Sequence, residues 1–187
     1  MAAGARYSEA LGFHVDADAY LDDVWNWLPL RWKHPQEPQL KPEMLPGSTW
    51  EDNLRTALTT QAWDVLRKHC YAAAGHRCEI CGEAGRMECH ERWSFDDVWT
   101  VQKLEGLISL CSRCHKAHHL GIARRLGLLE DVLAKMCEVN GWTRPQLEAA
   151  IEEARTLADE RSRYHWHVDL SWLETGQYNL LYQLRGR

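Results

Sequence analysis

The chain has 187 residues, of which 45% are hydrophobic and 26% charged, with a formal net charge of −5. This length allows one ordinary domain or a small one with extensions, and the composition excludes disordered, collagen-like and low-complexity chains. No apolar run approaches the roughly 20 residues that cross a bilayer, and Glu9 interrupts the N-terminus before a signal-like stretch forms. We therefore expect a cytoplasmic protein with no membrane partner.

The first part of the chain is predicted to be helical around a connector. Residues 1–32 form an N-terminal helical segment whose helix stops at Pro29. Residues 33–48 are a Pro-rich connector, because four prolines and few large apolar side chains exclude a helix there. Residues 49–75 form a helical lead-in whose second helix takes Thr60 as its N-cap and ends just before a glycine.

Residues 76–125 form the predicted centre of the protein. They have few helix signals before residue 112 and contain two short strands, at residues 87–93 and 104–110, on either side of a loop. Residues 65–125 have a net charge of +3, whereas the chain on both sides is acidic. The centre is therefore the part of the chain that could face phosphates, and the acidic flanks would restrict where a nucleic acid lies.

Residues 126–187 are expected to be a C-terminal helical wrapper with an extended tail. Helical periodicity covers residues 126–139 and 143–164, and Thr143 with Gln146 forms a capping box at the start of the second helix. The tail consists of strands or of extended docking segments, and the sequence does not separate the two.

Two Cys-x-x-Cys pairs are the strongest chemical signal in a chain that has seven cysteines and ten histidines. The pairs are Cys78 with Cys81 and Cys111 with Cys114. One tight turn lets two thiolates reach one ion, and two such turns complete a closed tetrahedral site, which is typical of structural Zn²⁺. Disulfides are rarely kept inside cells. We therefore expect a structural zinc on which the folding of this segment depends.

Histidines lie between the two pairs and directly after the second. His115 and His119 are spaced i, i+4 on a helix predicted to begin at Ser112, so their imidazoles share one face, whereas His118 is expected to point away. If His90 faces the same side, three imidazoles leave open coordination positions for water and a phosphate oxygen. This pattern predicts a catalytic divalent metal, which could be Mg²⁺, Mn²⁺, Ni²⁺ or Zn²⁺.

Residues 78–119 resemble an HNH endonuclease of the ββα-metal class in its zinc-knuckle form. The likeness lies in the first cysteine pair, the strand leading to His90, the Leu-Ile-Ser-Leu run at residues 107–110, and the second pair followed by His115 and His119. It implies an α+β fold with a small zinc-stapled ββα-metal module between N- and C-terminal helical extensions. It also implies hydrolysis of DNA phosphodiester bonds, by nicking or cutting.

The resemblance implies roles for individual residues at this site. His90 is the first metal ligand, and Glu91 occupies the next position, where the family has a histidine that activates the attacking water. A carboxylate is ionised at neutral pH, and burial raises its pKa toward that of an effective base. A register shifted by one residue would make His90 the base and Cys89 the ligand, but strand alternation places Cys89 on the apolar side. Gly106 occupies the position of the family's middle asparagine.

We therefore expect a metal-dependent endonuclease whose partner is nucleic acid, with DNA favoured over RNA and with no oligomeric state implied. Four basic residues on the helix after the knuckle and at its exit are candidates for sequence-independent phosphate contacts. They are Arg113, Lys116, Arg124 and Arg125. The alternative is a non-catalytic zinc-binding adaptor for nucleic acid or protein, in which Glu91 and Gly106 mark lost chemistry. The ten tryptophans are assigned to core and hinge packing.

Overall fold

The computed structural model describes residues 5–8, 12–15, 38–49 and 54–174. The strands in these ranges are β1 (Ala5–Ser8), β2 (Gly12–Val15), β3 (Met87–Asp96), β4 (Val101–Cys111) and β5 (His167–Asp169). The α-helices are α1 (Leu54–Ala57), α2 (Thr60–Ala73), α3 (Ser112–Ala117), α4 (Leu120–Arg125), α5 (Leu129–Asn140) and α6 (Arg144–Arg161), and 3₁₀ turns cover Gly47–Thr49 and Ser171–Glu174. The fold is α+β, as predicted. None of the helices in these ranges is long and apolar enough to cross a membrane.

A long antiparallel hairpin of β3 and β4 organises this part of the chain. Met87 pairs with Cys111 and His90 with Ile108, and β5 joins the outer edge of β4 in parallel. Because Cys111 ends β4, the hairpin returns the second cysteine pair to the base of β3, close to the first pair. The hairpin thus brings together the two Cys-x-x-Cys turns, here called knuckles, that are far apart in sequence.

The strands extend beyond the two short runs that the sequence predicts. The ladder continues to the pair of Asp96 with Val101, and the Asp96 carboxylate accepts hydrogen bonds from the backbone N–H groups of Val98 and Trp99, both at 3.0 Å. Polar residues such as these give no apolar alternation, which is why the periodicity ends before the hairpin does. The tip leaves Trp99 74% exposed, unlike the tryptophans that pack against the core.

A β-bulge interrupts the hairpin between Arg92 and Trp93, beside the pair of Arg92 with Gly106. Gly106 has a φ of +152°, and a Cβ atom there would lie 3.0 Å from a guanidinium nitrogen of Arg92 and 3.7 Å from the indole nitrogen of Trp172. Gly106 therefore serves the backbone of the bulge.

Two groups of buried side chains flank the hairpin. One surrounds the cysteine pairs and reaches α5 and α6 through Val132, Met136 and Leu147. The other joins α1 and α2 to β4 and to the 3₁₀ turn at Ser171–Glu174, and consists of Leu54, Leu58, Ala62, Leu66, Leu104 and Leu173. The hairpin is thereby fixed from both sides.

The connector is fixed at both ends of its described part. The side-chain oxygen of Asn140, at the end of α5, accepts hydrogen bonds from the backbone N–H groups of Gln39 and Leu40, and its amide donates to the Leu40 carbonyl. At the other end, the N–H of Gly47 donates to the hydroxyl of Ser162. The residues between these anchors are held beside the hairpin.

The remaining predictions about helices, caps and strands agree with the structure in part. Helices α5 and α6 are confirmed, including the capping box of Thr143 and Gln146. The N-cap of α2 is Thr59 and not Thr60, because Thr59 has extended backbone angles and its hydroxyl accepts from the N–H of Ala62. Hairpin β1–β2 was not predicted. The helix expected before Pro29 and the end of the tail, residues 175–187, lie outside the described residues.

Replacement of Gly106 by alanine tests the bulge. We expect Gly106→Ala to lower the free energy of unfolding by about 1–3 kcal/mol, because a side chain at this φ is strained. Gly121→Ala is the matched control: the new methyl group meets open space on α4, and alanine favours a helix by about 0.5–1 kcal/mol. Chemical denaturation of both variants measures the difference, and equal stability of the two would contradict the strain.

Candidate functional site

Four buried thiols lie at the base of the hairpin. The sulfur atoms of Cys78, Cys81, Cys111 and Cys114 are within 4.8 Å of one another. The first two lie on the turn after α2, Cys111 ends β4, and Cys114 lies in the first turn of α3. Four sulfur ligands with no open position fit a structural Zn²⁺, so the structure brings together the two pairs that the sequence selected.

Electrostatic crowding in this cluster favours a cation. The sulfurs of Cys81 and Cys111 are 3.8 Å apart. Contacts with Cys111 and Cys114 lower the pKa of Cys81 to about 7, whereas contacts with Cys111, Cys78 and Cys81 raise the pKa of Cys114. Thiolates packed together repel one another, so all four can lose their protons only when a positive ion lies among them.

Two hydrogen bonds connect the first knuckle, at Cys78 and Cys81, to strand β4 of the hairpin. The backbone N–H of Glu79 donates to the carbonyl of Ser109, and the Glu79 carboxylate accepts from the N–H of Ser109 at 2.6 Å. Within the knuckle, the N–H of Cys78 donates to the carbonyl of Glu83. These bonds fix the distance between the knuckle turn and β4, and with it the position of β3 relative to α3.

Three histidines, His90, His115 and His119, lie close to one another next to the four-cysteine cluster. The ring centroid of His90 lies 5.3 Å from that of His115 and 5.1 Å from that of His119. One nitrogen from each of the three lies within 4.8 Å of the other two. His90 is almost fully buried, and the other two are partly exposed, so the cluster is accessible from the side of His115 and His119.

The helix that was predicted to hold two of these histidines is shorter than expected. Helix α3 ends at Ala117, and His119 lies between α3 and α4. The rings of His115 and His119 still meet, at a centroid distance of 4.8 Å. The prediction that His118 points away is wrong: its ring stacks on that of His90 at 4.4 Å. Once the helix ends, the following side chains no longer obey the helical period.

Glu43 of the connector reaches the same cluster. One of its carboxylate oxygens, Oε2, lies 3.0 Å from Nε2 of His90 and 3.0 Å from Nδ1 of His118. Burial opposes ionisation of Glu43, but the contacts with His118 and His90 outweigh burial and lower the pKa of Glu43 to about 2. The half-buried carboxylate of Glu43 therefore lies in its charged form between two imidazoles.

A second carboxylate orients His115. Oε2 of Glu88, on β3, lies 2.5 Å from Nδ1 of His115. Burial and then the proximity of His90 lower the pKa of His115, and burial followed by His115 lowers the pKa of His119 to about 4. The imidazoles are thus neutral near pH 7, which is the form that binds metals, and a carboxylate on the other ring nitrogen is a common support for such a ligand.

Some buried nitrogens in the cluster have no hydrogen-bond partner within the described ranges. They are Nδ1 of His90 and both ring nitrogens of His118. An unpaired buried polar group costs about 1–3 kcal/mol, so these nitrogens fit a site where an ion supplies the missing partner. Imidazole and carboxylate together form a donor set for divalent transition metals.

Glu91 lies beside the cluster and lines the same cleft. Burial raises its pKa, against the lowering effects of hydrogen bonds from its own backbone, the nearby His90 and a hydrogen bond from the backbone of Leu54. A raised pKa makes the carboxylate a stronger base. The contact with Leu54 also links Glu91 to the start of α1, so the residue has a structural partner as well.

The cleft around the histidines has a volume of about 940 Å³. Of the four basic residues selected from the sequence, Arg125 lines it. Arg113 is engaged with Glu83 at 3.3 Å and Asp131 at 3.8 Å. Lys116 contacts the hydroxyl of Ser112 on its own helix, and Arg124 is exposed on α4.

Sequence reasoning missed several residues of the cleft. Arg55 and Arg155 line it together with two tryptophans, Trp63 and Trp93. These arise from α1, α6, α2 and β3, and no local pattern connects them. Glu43 gave no signal in a Pro-rich segment, whereas the adjacent histidines after the second knuckle could have pointed to His118.

Comparison with known proteins leaves the family open. No family model matches the chain, and no curated protein or solved structure is significantly similar to it. The chain is an α+β protein whose four-cysteine cluster is compatible with a zinc site of the knuckle type.

Removal of metal from the four-cysteine cluster should loosen the base of the hairpin. We expect Cys111→Ser, or treatment with a strong chelator, to lower the melting temperature by many degrees, because the thiols would be left without the ion that offsets their repulsion. Cys137→Ser is the control, since Cys137 lies outside the cluster. Native mass spectrometry measures zinc per chain in parallel. Purified parent protein that is folded and free of zinc would contradict the assignment.

Proposed function

We propose that the protein is a metal-dependent endonuclease of the HNH type that hydrolyses phosphodiester bonds of nucleic acid, with DNA as the favoured substrate, in the cytoplasm. The observation that carries this proposal is the convergence of His90, His115 and His119 on one open cleft above a four-cysteine base. The same residues carry the sequence resemblance to HNH endonucleases.

The histidines would hold one divalent ion, Mg²⁺, Mn²⁺, Ni²⁺ or Zn²⁺. When bound, such an ion stabilises negative charge on the scissile phosphate and on the leaving oxygen. Glu88 keeps the ring of His115 in place through its short contact with Nδ1. The cysteine base holds the start of α3 against β3, so that the ligands from both elements keep their distances.

Glu91 is the proposed base. Its carboxylate takes a proton from a water molecule, the water oxygen forms a bond to phosphorus, and the bond from phosphorus to the 3′ oxygen breaks, with the leaving oxygen protonated by solvent. Arg55, Arg125 and Arg155 line the cleft and would contact flanking phosphates without reading sequence. Trp63 and Trp93 offer faces on which an unpaired base would stack.

A second candidate function is a non-catalytic adaptor for nucleic acid or protein. Two observations favour it: Glu91 has a structural contact with the start of α1, and Gly106 serves the bulge. In this alternative the four-cysteine zinc is the one metal of the protein, and the cleft binds a partner without chemistry.

A plasmid-nicking assay with each of the four metals separates the two functions. We expect the parent protein to convert supercoiled plasmid to the nicked form, and His115→Ala to lower the rate at least 100-fold, because a ligand is lost. His165→Ala is the control, since His165 is exposed and outside the cluster. No cleavage by zinc-loaded parent protein with any of the metals would favour the adaptor.

The role of Glu91 needs its own variants. Glu91→Gln keeps the size of the side chain but cannot accept the proton, so we expect nicking to fall by about 10²–10⁴-fold while binding of metal and DNA stays close to that of the parent. Glu91→His should keep or increase activity, because imidazole is a base near neutral pH. Glu105→Gln, on the exposed side of β4, serves as the control. Unchanged nicking by Glu91→Gln would transfer the role of base to another residue.

A further inference from the structure

We propose that Glu43 is a metal ligand, and that with His90 and His118 it binds a divalent cation between the connector and the hairpin. This set of one carboxylate and two imidazoles is distinct from the three-histidine set and shares only His90 with it. The inference rests on the proposed function in one respect, that a divalent ion binds among these histidines.

The distances around Glu43 match those between ligands of one ion. Its Oε2 atom lies 3.0 Å from a nitrogen of His90 and 3.0 Å from a nitrogen of His118. Two neighbouring ligands at right angles on an octahedral ion, each with a bond of about 2.1 Å, lie about 3.0 Å apart. The three atoms thus have room for an ion on their common side.

The orientation of His118 supports ligation over a simple ion pair. Although Nδ1 of His118 is at hydrogen-bonding distance from Glu43, it makes no hydrogen bond of acceptable geometry, and neither does Nε2, within the described part of the chain. The lone pair of a coordinating nitrogen is aimed at the ion and not at the neighbouring ligand. The contact of Glu43 with His90 satisfies hydrogen-bond geometry, so the misaligned contact with His118 is the one that a shared ion explains.

Burial explains why the set needs an ion. His118 and His90 are stacked with their ring centroids 4.4 Å apart, and one carboxylate oxygen of Glu43 contacts both rings. The carboxylate of Glu43 is half-buried against these rings, and a negative charge partly withdrawn from water is costly unless an opposite charge accompanies it. A divalent cation provides that charge.

The position of Glu43 is built into the fold. Asn140 holds the connector at Leu40 and Ser162 holds it at Gly47, so the carboxylate is placed by the ends of two helices. A carboxylate among imidazoles shifts the preference of a site from Zn²⁺ or Ni²⁺ toward Mn²⁺ or Mg²⁺. Glu43 would therefore determine which ion the set of Glu43, His90 and His118 prefers.

Mn²⁺ binding to the zinc-loaded full chain, followed by electron paramagnetic resonance, tests this site without reference to cleavage. We expect Glu43→Gln and His118→Gln each to weaken Mn²⁺ binding about 10-fold or more, while Glu153→Gln, an exposed carboxylate on α6, leaves it unchanged. Melting temperature and zinc content establish that each variant is folded. Parent-like Mn²⁺ affinity in folded Glu43→Gln overturns the inference.

Pulsed resonance distinguishes a ligand from a residue that merely orients His90. If position 43 is a direct ligand, the variant Glu43→His adds one nitrogen coupled to Mn²⁺ and moves the metal preference of the site toward Ni²⁺. An unchanged set of nitrogen couplings with Mn²⁺ bound overturns direct ligation.

A cleavage assay separates this inference from the proposed function. If Mn²⁺ binding depends on Glu43 and His118 but the protein never nicks DNA, the proposed metal site stands and the nuclease proposal is rejected. If Glu43→Gln still nicks DNA and binds Mn²⁺ as the parent protein does, the nuclease proposal stands and the proposed Glu43 metal site is rejected.

Discussion

Four buried sulfur atoms crowded within 4.8 Å are the constraint on which the rest of the structure depends. They join the turn after α2 to the end of β4 and the first turn of α3, at the base of the hairpin. Thiolates in such a space repel unless a cation lies among them. A zinc ion bound there would fix the distance between β3 and α3, and with it the meeting of His90 with His115, together with apolar packing.

Carboxylates support the histidines of the cleft from opposite sides. Glu88 arises from the same hairpin as His90 and orients His115, whereas Glu43 arises from the connector and contacts His90 and His118. Burial lowers the pKa values of His115, His118 and His119, whereas the contacts of Glu43 with His118 and His90 lower the pKa of its carboxyl. The connector is thus a part of the cleft and not only a link between helical segments.

Two positions depart from the HNH pattern, and the structure gives each of them a physical setting. Gly106 lies beside the bulge, where a side chain would meet Arg92 at an unfavourable backbone angle. Glu91 lines the cleft with a pKa raised by burial, and it also contacts the start of α1. The first departure is explained by the backbone, and the second leaves a carboxylate in a place where a base is useful.

The sequence by itself determined the parts of the protein that depend on local spacing. Cysteine pairs on tight turns predicted the four-sulfur cluster, the capping box predicted the start of α6, and the spacing of His115 and His119 predicted that they meet. Each of these patterns is read from residues close in sequence, because turns and helices are closed by local bonds.

Only the tertiary structure decided how distant segments meet. It ended α3 early, which turned His118 toward His90, and it placed Glu43 beside both through anchors that lie about 100 residues away in sequence. The sequence could not foresee either, because a Pro-rich connector has no period of its own and an ionised carboxylate is usually solvated. The position of this carboxylate is imposed by the contacts of the connector with the hairpin, α5 and α6, and those contacts are a property of the whole fold.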